Sequence, residues 1–422
     1  MVNKYSTYTA VPNLLTEAAP SHWHLIRNRV LLRPKKDVVG DQSDKYDLLS
    51  LTTNGIIRRD LESGKGKFPK DFDTYQIVEP NDMVFCLFDV DETPRTVGLS
   101  SLKGMVTGAY DVFSTSPLVE PGFLNYYYTA VDDIKALRPY YTGLRKVVKR
   151  NKFMQLSLPL PPIEEQKKIV SFLNKKVSLI ELHKSQKEKE LQTLNELKQA
   201  IIASAVTRGI NPDAQMKDSG QVQFGEIPAY WDCVKMKYCF TQRSEKGYPD
   251  EPVLCATQSK GVIPQSLYEN RVVVVNKGFE GLKLVKVGDF VISLRSFQGG
   301  IEYAYYQGII SAAYTILTPK EVKNAQYFKY LFKSHPFIQL LQTCVTGIRE
   351  GQNINYAVLG NNFIPIPPED EQNEIVEYIE SKTKSIDLMT DSLTAEIGRL
   401  SEYKQRLISD VVTGQVNVQN DI

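Results

Sequence analysis

The chain has 422 residues, of which 42% are hydrophobic and 24% charged, with a formal net charge of +2. That is the composition of an ordinary soluble protein long enough for two or more cores. Its first residues, Met1-Val2-Asn3-Lys4-Tyr5-Ser6, contain no apolar signal region, and its longest purely aliphatic run, 272–275, is far too short to span a bilayer. Five cysteines (Cys86, Cys233, Cys239, Cys255, Cys344), odd in number and without Cys-x-x-Cys spacing, predict reduced core thiols rather than disulfides or a zinc site. A cytoplasmic protein with no membrane contact is expected.

From the N-terminus, Pro20-x-x-Trp23 within His22-Trp23-His24 reads as a turn into a first globular head, with Trp23 in its core. A basic run follows at Arg27, Arg29, Arg33, Lys35 and Lys36. Stretches 46–57 and 82–88 carry the β-branched and aromatic residues, bounded by Gly, Pro, Asn and Asp, that strands need. The loop Leu51-Thr52-Thr53-Asn54-Gly55 offers hydroxyl and amide groups suited to base edges. Thr52, Thr53, Asn54, Arg58 and Arg59 are therefore candidate DNA contacts, although a turn needs such residues for its own geometry. Asp89, Asp91 and Glu92, in a single loop, read as solvated carboxylates ahead of a metal site. Residues 135–152 hold seven Lys and Arg and no acid, interleaved with Tyr140 and Tyr141. Tyr140, Tyr141, Arg145, Lys146 and Lys149 are candidates there, the basic ones for phosphate contacts that position a protein without specifying sequence.

Pro161-Pro162 ends the preceding strand and sets the first turn of a helix, where Glu164-Glu165 suits the positive end of the helix dipole. An a/d heptad then runs Leu173, Val177, Ile180, Lys184, Lys187, Leu191, Leu194, Lys198, Ile201, Ala205, with Gly209 at its end. This is a coiled-coil seam, whose lysines either fix register or snorkel from a loosely packed pair. Residues 211–228 read as a linker, with Asn211-Pro212-Asp213 as a turn. A second head, 229–362, has strands expected at 271–275 and 289–294. Its loops Ala256-Thr257-Gln258-Ser259-Lys260-Gly261 and Arg295-Ser296-Phe297-Gln298-Gly299-Gly300 supply Thr257, Gln258, Lys260, Arg295, Ser296 and Gln298 as candidate base contacts, with Arg349 further on. A second helical segment, 363–422, carries the seam Ile379, Thr383, Ile386, Thr390, Leu393, Ile397, Leu400, Lys404, Leu407, Val411 and stops at Gly414.

The chain is thus written twice. Pro161-Pro162-Ile163-Glu164-Glu165-Gln166 returns as Pro367-Pro368-Glu369-Asp370-Glu371-Gln372, and an offset of 206 carries Ile180 onto Ile386 and Val206-Thr207 onto Val412-Thr413 without a gap. Upstream the echo is weaker: Pro228-x-x-Trp231 answers Pro20-x-x-Trp23, and Thr346-Gly347-Ile348-Arg349 answers Thr142-Gly143-Leu144-Arg145. One unit is a divergent head followed by a strict helix, duplicated in tandem. The heads are mildly basic, with 21 Lys and Arg against 18 Asp and Glu in 1–155 and 15 against 11 in 219–362, whereas 363–422 has 5 against 12. A head that touches a polyanion and a spine that does not would give this split, and so would a solvated surface. Each helix of about 44 residues is roughly 66 Å long. Paired antiparallel, the two would set the heads at opposite ends with a pseudo-twofold relation suited to a bipartite DNA site; parallel pairing would set both at one end.

An enzyme in its own right is the rival class. The chain has no Gly-rich methyltransferase loop with Asn-Pro-Pro-aromatic or Asp-Pro-Pro-aromatic, no nuclease acidic-x-Lys after either Pro-Asp pair, and no Gly-x-x-x-x-Gly-Lys loop. A coiled-coil scaffold would keep the helices but leave two divergent heads without a reason. Gly225-Glu226-Ile227-Pro228-Ala229-Tyr230-Trp231, the duplicated Pro-Pro-x-x-Glu-Gln helix start and the head-helix-head-helix order resemble the specificity subunit of a type I restriction-modification enzyme, the HsdS family. The resemblance covers essentially the whole chain. It implies two α/β (α+β) target recognition domains at 1–155 and 229–362, and helical spacers at 156–210 and 363–422 forming an antiparallel coiled coil. It also implies a non-catalytic, double-stranded-DNA-recognition subunit with no cofactor or metal of its own. Two methyltransferase subunits would bind S-adenosylmethionine and methylate adenine, and ATP- and Mg-dependent restriction subunits would join through them. Glu369 departs from the pattern by lacking the apolar residue at Ile163, which predicts a slightly displaced second helix start.

Overall fold

In the computed structural model, residues 4–59, 72–268, 278–320, 325–346 and 353–419 are described. The strand expected at 271–275 and the candidate Arg349 lie outside them. The chain forms two compact units, 1–187 with 395–422, and 188–394. The division falls inside both long helices, Ile163–Arg208 and Glu369–Val412, so each head is compact with half of each helix rather than with one helix of its own.

In the first unit a four-stranded antiparallel sheet has the order Leu32–Pro34, Asp111–Thr115, Met83–Phe85, Val97–Leu99. The helix Pro121–Asp133 buries Phe123, Leu124, Tyr127, Tyr128 and Val131, and Tyr128 meets Phe85 edge-on at 5.1 Å. His24–Arg27 pairs with Ser157–Leu160, so both ends of the head close together immediately before the first long helix. The second unit repeats this plan. Its sheet runs Phe240–Arg243, Thr315–Pro319, Phe290–Ile292, Glu302–Tyr303, with Phe332 edge-on to Phe290 at 5.0 Å and Asp232–Lys235 paired with Phe363–Ile366. Both sheets are antiparallel, so the heads are of the α+β kind.

Stretch 46–57 is a hairpin, Leu49–Thr52 with Gly55–Arg58, because Gly55 at φ 90 reverses the chain where a side chain would be strained. The other two strands are shorter than their sequence patterns, Met83–Phe85 and Phe290–Ile292. Asp82 and Asp289 sit just outside the ladder as buried anchors. Asp82 accepts from Lys35 Nζ and Glu79 N, both at 2.7 Å, and Asp289 accepts from Arg243 Nε at 3.0 Å and Lys286 N at 2.8 Å.

Every a/d position expected on the long helices is buried or half-buried. The seam lysines do more than snorkel. Lys404 Nζ reaches Glu181 Oε1 at 2.6 Å in the first unit, and Lys198 reaches Asp387 in the second. Under the 206-residue offset these are one contact made twice. With Lys187 to Glu396 at 3.5 Å, the partner number rises as the residue number falls, so the helix halves pair antiparallel in both units.

A carboxylate in the first turn of each helix holds the head. Glu165, 8% exposed, accepts from Tyr5 Oη at 2.6 Å and Trp23 Nε1 at 3.1 Å, and contacts His22 Nε2 at 2.8 Å. Glu371 accepts from Tyr230 Oη at 2.9 Å and Trp231 Nε1 at 2.8 Å. Glu369 opens its helix at the position equivalent to Ile163, so no displacement occurs: both helices start after Pro-Pro with a Glu-Gln pair whose glutamine is buried, whatever the first residue. The far helix ends close against the same tryptophans. Gly414 (φ 74) would place a Cβ 2.3 Å from Pro20, and Gly209 (φ 72) one 3.2 Å from Trp231.

If the seam is driven by apolar burial, Leu173→Ala, at a fully buried site, should cost about 2–5 kcal/mol. Lys404→Met, which removes a half-exposed ion pair, should cost no more than about 1 kcal/mol. Chemical denaturation of both variants checks the contrast.

Candidate nucleic-acid interface

The basic stretch 135–152 owes its surface to the acidic loop it packs against. Arg138 Nε donates to Asp91 Oδ1 at 3.0 Å, Lys146 reaches Asp91 at 3.2 Å, Arg145 reaches Asp89 at 3.2 Å and lies 5.5 Å over the Phe88 ring. Lys135 is held by Asp132 at 2.8 Å, and Arg150 by Asp111. The stretch is therefore largely a charge-paired platform, not a free cationic patch, and Asp89 and Asp91 are its counterions rather than solvated carboxylates. The Arg138 hydrogen bond holds the Asp91 carboxyl below the usual range. Burial, then the hydrogen bond to Asp91, pushes the Tyr141 phenol up to about 12, so it donates throughout the physiological range. Tyr140 packs half-buried against the first core. Lys149 is exposed, immediately before the short helix Arg150–Phe153.

Two candidates in the turns serve the backbone, and they do so in the same manner in both heads, the second turn being one residue longer. Thr52 Oγ1 donates to Gly55 O at 2.9 Å and accepts from Asn54 N at 3.1 Å; Thr257 Oγ1 donates to Gly261 O at 2.9 Å and accepts from Lys260 N at 2.9 Å. Thr257 is moreover buried. These hydroxyls are engaged in turn geometry. Ser296 is engaged in a similar way: it is 2% exposed, and its Oγ accepts from Ser293 N at 2.9 Å. The outward positions are Thr53 and Asn54 in the first head and Gln258, Lys260, Arg295 and Gln298 in the second. Arg58 is exposed beside Asp47 at 3.1 Å, and Arg59 is half-buried.

These turns border matched clefts. In the first unit, a cleft of about 220 Å³ includes Thr53, Asn54, Arg95, Tyr126 and Lys404. In the second, one of about 620 Å³ includes Gln258, Lys260, Glu302, Lys329, Tyr330 and Lys333. The first is neutralised, since Arg95 pairs with Asp132 and Asp133. In the second, Lys333 bonds Glu302 Oε1 at 2.5 Å, and the Lys329 ammonium lies 5.2 Å over Tyr305 and 5.7 Å over Tyr330. Burial pushes Glu302 up to about 7. Lys329 and Tyr305 escape sequence reading because neither lies in a turn or a basic run.

The long helices carry a further surface that the seam reading leaves aside. Leu182 and Tyr403, both 55% exposed, adjoin the Glu181–Lys404 bridge in the first unit; Leu388 at 65% and Leu197 at 49% adjoin the Asp387–Lys198 bridge in the second. The same offset of 206 relates them, and it also relates Lys176 over Phe172 at 5.8 Å to Lys382 over Tyr378 at 5.7 Å. Among the described residues no cluster of three or more His, Cys, Asp or Glu has a metal-binding arrangement, and no helix is long and apolar enough to cross a membrane.

A duplicated α+β head on a duplicated coiled-coil half defines the class, and comparison with known proteins gives it a family. The model for the type I restriction modification DNA specificity domain matches residues 113–193 and 217–399, more than half of the chain, and the protein belongs to that family. The specificity subunit of the type I restriction enzyme MjaVIII from Methanocaldococcus jannaschii is 27% identical over 296 residues, 66% of this chain and 66% of that protein. That of EcoBI from Escherichia coli is 24% identical over 289 residues, 62% of this chain and 59% of that protein. The chain thus spans about three fifths to two thirds of the curated relatives' length. A chain from a solved type I R-M system aligns over 94% of this chain and 99% of its own with a TM-score of 0.64 at 16% identity, which supports the fold.

Glu302 gives a pH test. Its folded pKa lies above that of an unfolded glutamate, so its contribution to stability is full below about pH 4.5 and is lost as pH rises through about 7. The second unit should therefore lose up to about 3 kcal/mol across that window. Glu302→Gln should flatten the dependence, as read by denaturation at pH 5 and pH 8.

Proposed function

We propose that this chain is the DNA sequence-recognition subunit of a type I restriction-modification complex, acting in the cytoplasm. Each head reads one half of a bipartite target in double-stranded DNA. The observation that carries this is the contrast within the duplication: the helix-start carboxylates, the tryptophans, the turn threonines and the interhelical Lys–acid pairs are retained, while Thr53 and Asn54 give way to Gln258 and Lys260, and Tyr303 stands where the first head has Leu99. Scaffold is kept where outward chemistry changes, which is what two readers of different sequences need.

The retained apolar pairs, Leu182 with Tyr403 and Leu388 with Leu197, favour two copies of one partner, one per unit. Methyltransferase subunits fit that role. They would bring S-adenosylmethionine and the adenine methylation, and restriction subunits would bring ATP- and Mg-dependent cleavage; this chain supplies recognition and no catalytic group.

Exchanging residues 229–362 for the corresponding head of a relative should change one half of the methylated motif and leave the other, as read by methylome sequencing. Change in both halves would exclude independent heads. The purified chain alone should neither methylate nor cleave DNA; turnover by the isolated chain would overturn the assignment. Within the heads, Gln298→Ala should relax specificity by about 1–3 kcal/mol per lost bidentate contact. Lys149→Ala should lower the salt slope of binding by roughly one without changing the motif.

A further inference from the structure

The first head ends in a small hairpin, Tyr141–Thr142 with Val147–Val148, whose tip exposes Leu144 completely, at 104% of its reference area. Nothing in the fold uses that side chain. The hairpin beneath it is nevertheless built firmly. Thr142 Oγ1 donates across it to Val147 O at 3.0 Å, and Lys146 N donates to Gly143 O at 3.2 Å around a tip in which Gly143 (φ 72) and Lys146 (φ 45) are left-handed. Asp89 N donates to Arg145 O at 2.9 Å, Val148 N to Leu87 O at 2.8 Å, and the Arg145 guanidinium rests between Phe88 and Asp89. A rigid stalk thus holds one aliphatic side chain out into solvent beside an arginine.

The second head has the same stalk. Val345–Thr346 pairs with Asn353–Ile354, and Thr346 Oγ1 donates to Asn353 O at 3.2 Å as Thr142 does to Val147. Its tip lies outside the described residues, but the sequence there is Gly347-Ile348-Arg349 against Gly143-Leu144-Arg145. Glycine, aliphatic and arginine survive in two heads that differ at their outward turn residues. An aliphatic residue that is wholly exposed at Leu144, and whose Gly-aliphatic-Arg sequence is repeated at 347–349, points to a contact made with a partner. Because both heads keep it while their outward chemistry diverges, the contact is blind to sequence.

We propose that the hairpin tip is an apolar wedge that enters a groove of duplex DNA and presses Leu144 against a base step, with Arg145 released from Asp89 to a flanking phosphate. This rests on the reading of the heads as DNA-binding. Aliphatic wedges that part a base step are sequence-tolerant and bend the duplex around more protein surface, and an adjacent arginine supplies the electrostatic half of such a contact. The exposed Lys149 at the foot of the hairpin, with Arg145 at its tip, favours a polyanion over an apolar protein surface.

The test uses the complex of this chain with its methyltransferase subunit and duplexes carrying 2-aminopurine through each half-site. Leu144→Ala should weaken binding about tenfold, equally for target and scrambled duplex, as expected for losing one buried leucine. It should abolish the fluorescence rise at one step, and Leu144→Met should restore both. The thermal midpoint and the methylated motif should not change, since the side chain is wholly exposed. Unchanged affinity in Leu144→Glu would overturn the wedge. So would a changed motif, which would make the tip a base reader, or dissociation of the methyltransferase subunit without DNA, which would make it a protein-docking element. A wild-type complex that binds no duplex would instead remove the functional reading on which the wedge rests.

Discussion

A carboxylate in the first turn of each long helix is the constraint on which the two units depend. Glu165 and Glu371 stand at the positive helix end, where a negative charge is favoured, and each receives the indole N–H of the tryptophan that begins its head. Burying a carboxylate is costly unless its lone pairs are taken up. In the first unit three donors surround it, and burial together with Glu165 drives the Tyr5 phenol far above its ordinary value, so that hydroxyl is a committed donor. The head is thereby tied to the helix that follows it. The closing glycine of the other helix, Gly414 or Gly209, packs on the same proline–tryptophan turn in a left-handed conformation, and at Gly414 a Cβ would collide with Pro20. Each head is thus gripped by the beginning of one helix and the end of the other, which is why compact units cut through the helices.

That arrangement explains the seam. Within each unit the two helix halves need a fixed register, because a slip would pull the closing glycine, Gly414 or Gly209, from the proline–tryptophan turn it packs on. The equivalent bridges Lys404–Glu181 and Lys198–Asp387 act on register far more than on stability, since such half-exposed pairs contribute about 0.2–1 kcal/mol. Lysine at a seam position is poor for packing and good for specification. Leu173, Ile180, Ile386 and Leu393, all buried, supply the cohesion.

The sequence made the helices and the duplication legible because a heptad and a repeat are periodic, and periodicity survives without knowledge of contacts. The a/d positions followed directly. The division into units did not, since it depends on which helix end meets which tryptophan, a long-range fact with no local signature. The heads were legible only in part. Stretch 46–57 has the composition of one strand, and the reversal at Gly55 is carried by a single left-handed residue. Residues 135–152 contain no acid in sequence, yet their partners Asp89, Asp91 and Asp111 arrive from distant strand ends. Thr52, Thr257 and Ser296 carry groups that fit a base edge and fit a turn equally well, and in this structure their hydrogen bonds go to the turn.

What remains outward after those subtractions is more informative than the original set. Thr53 and Asn54 in one head, and Gln258, Lys260, Arg295 and Gln298 in the other, are side chains that the fold does not consume. They sit on turns braced by a threonine whose role is the same in both heads. Turns built in this way can change their tips while Thr52, Thr257, Asp82 and Asp289 keep the backbone beneath them in place. The same logic separates the two charge systems. Lysines and arginines held by Asp82, Asp89, Asp91 or Asp289 organise the head, and only those beyond the reach of a carboxylate, such as Lys149 and Lys260, are ready for phosphate without first breaking an ion pair. Among the described residues, the cations beyond the reach of a carboxylate are therefore fewer than the composition suggests.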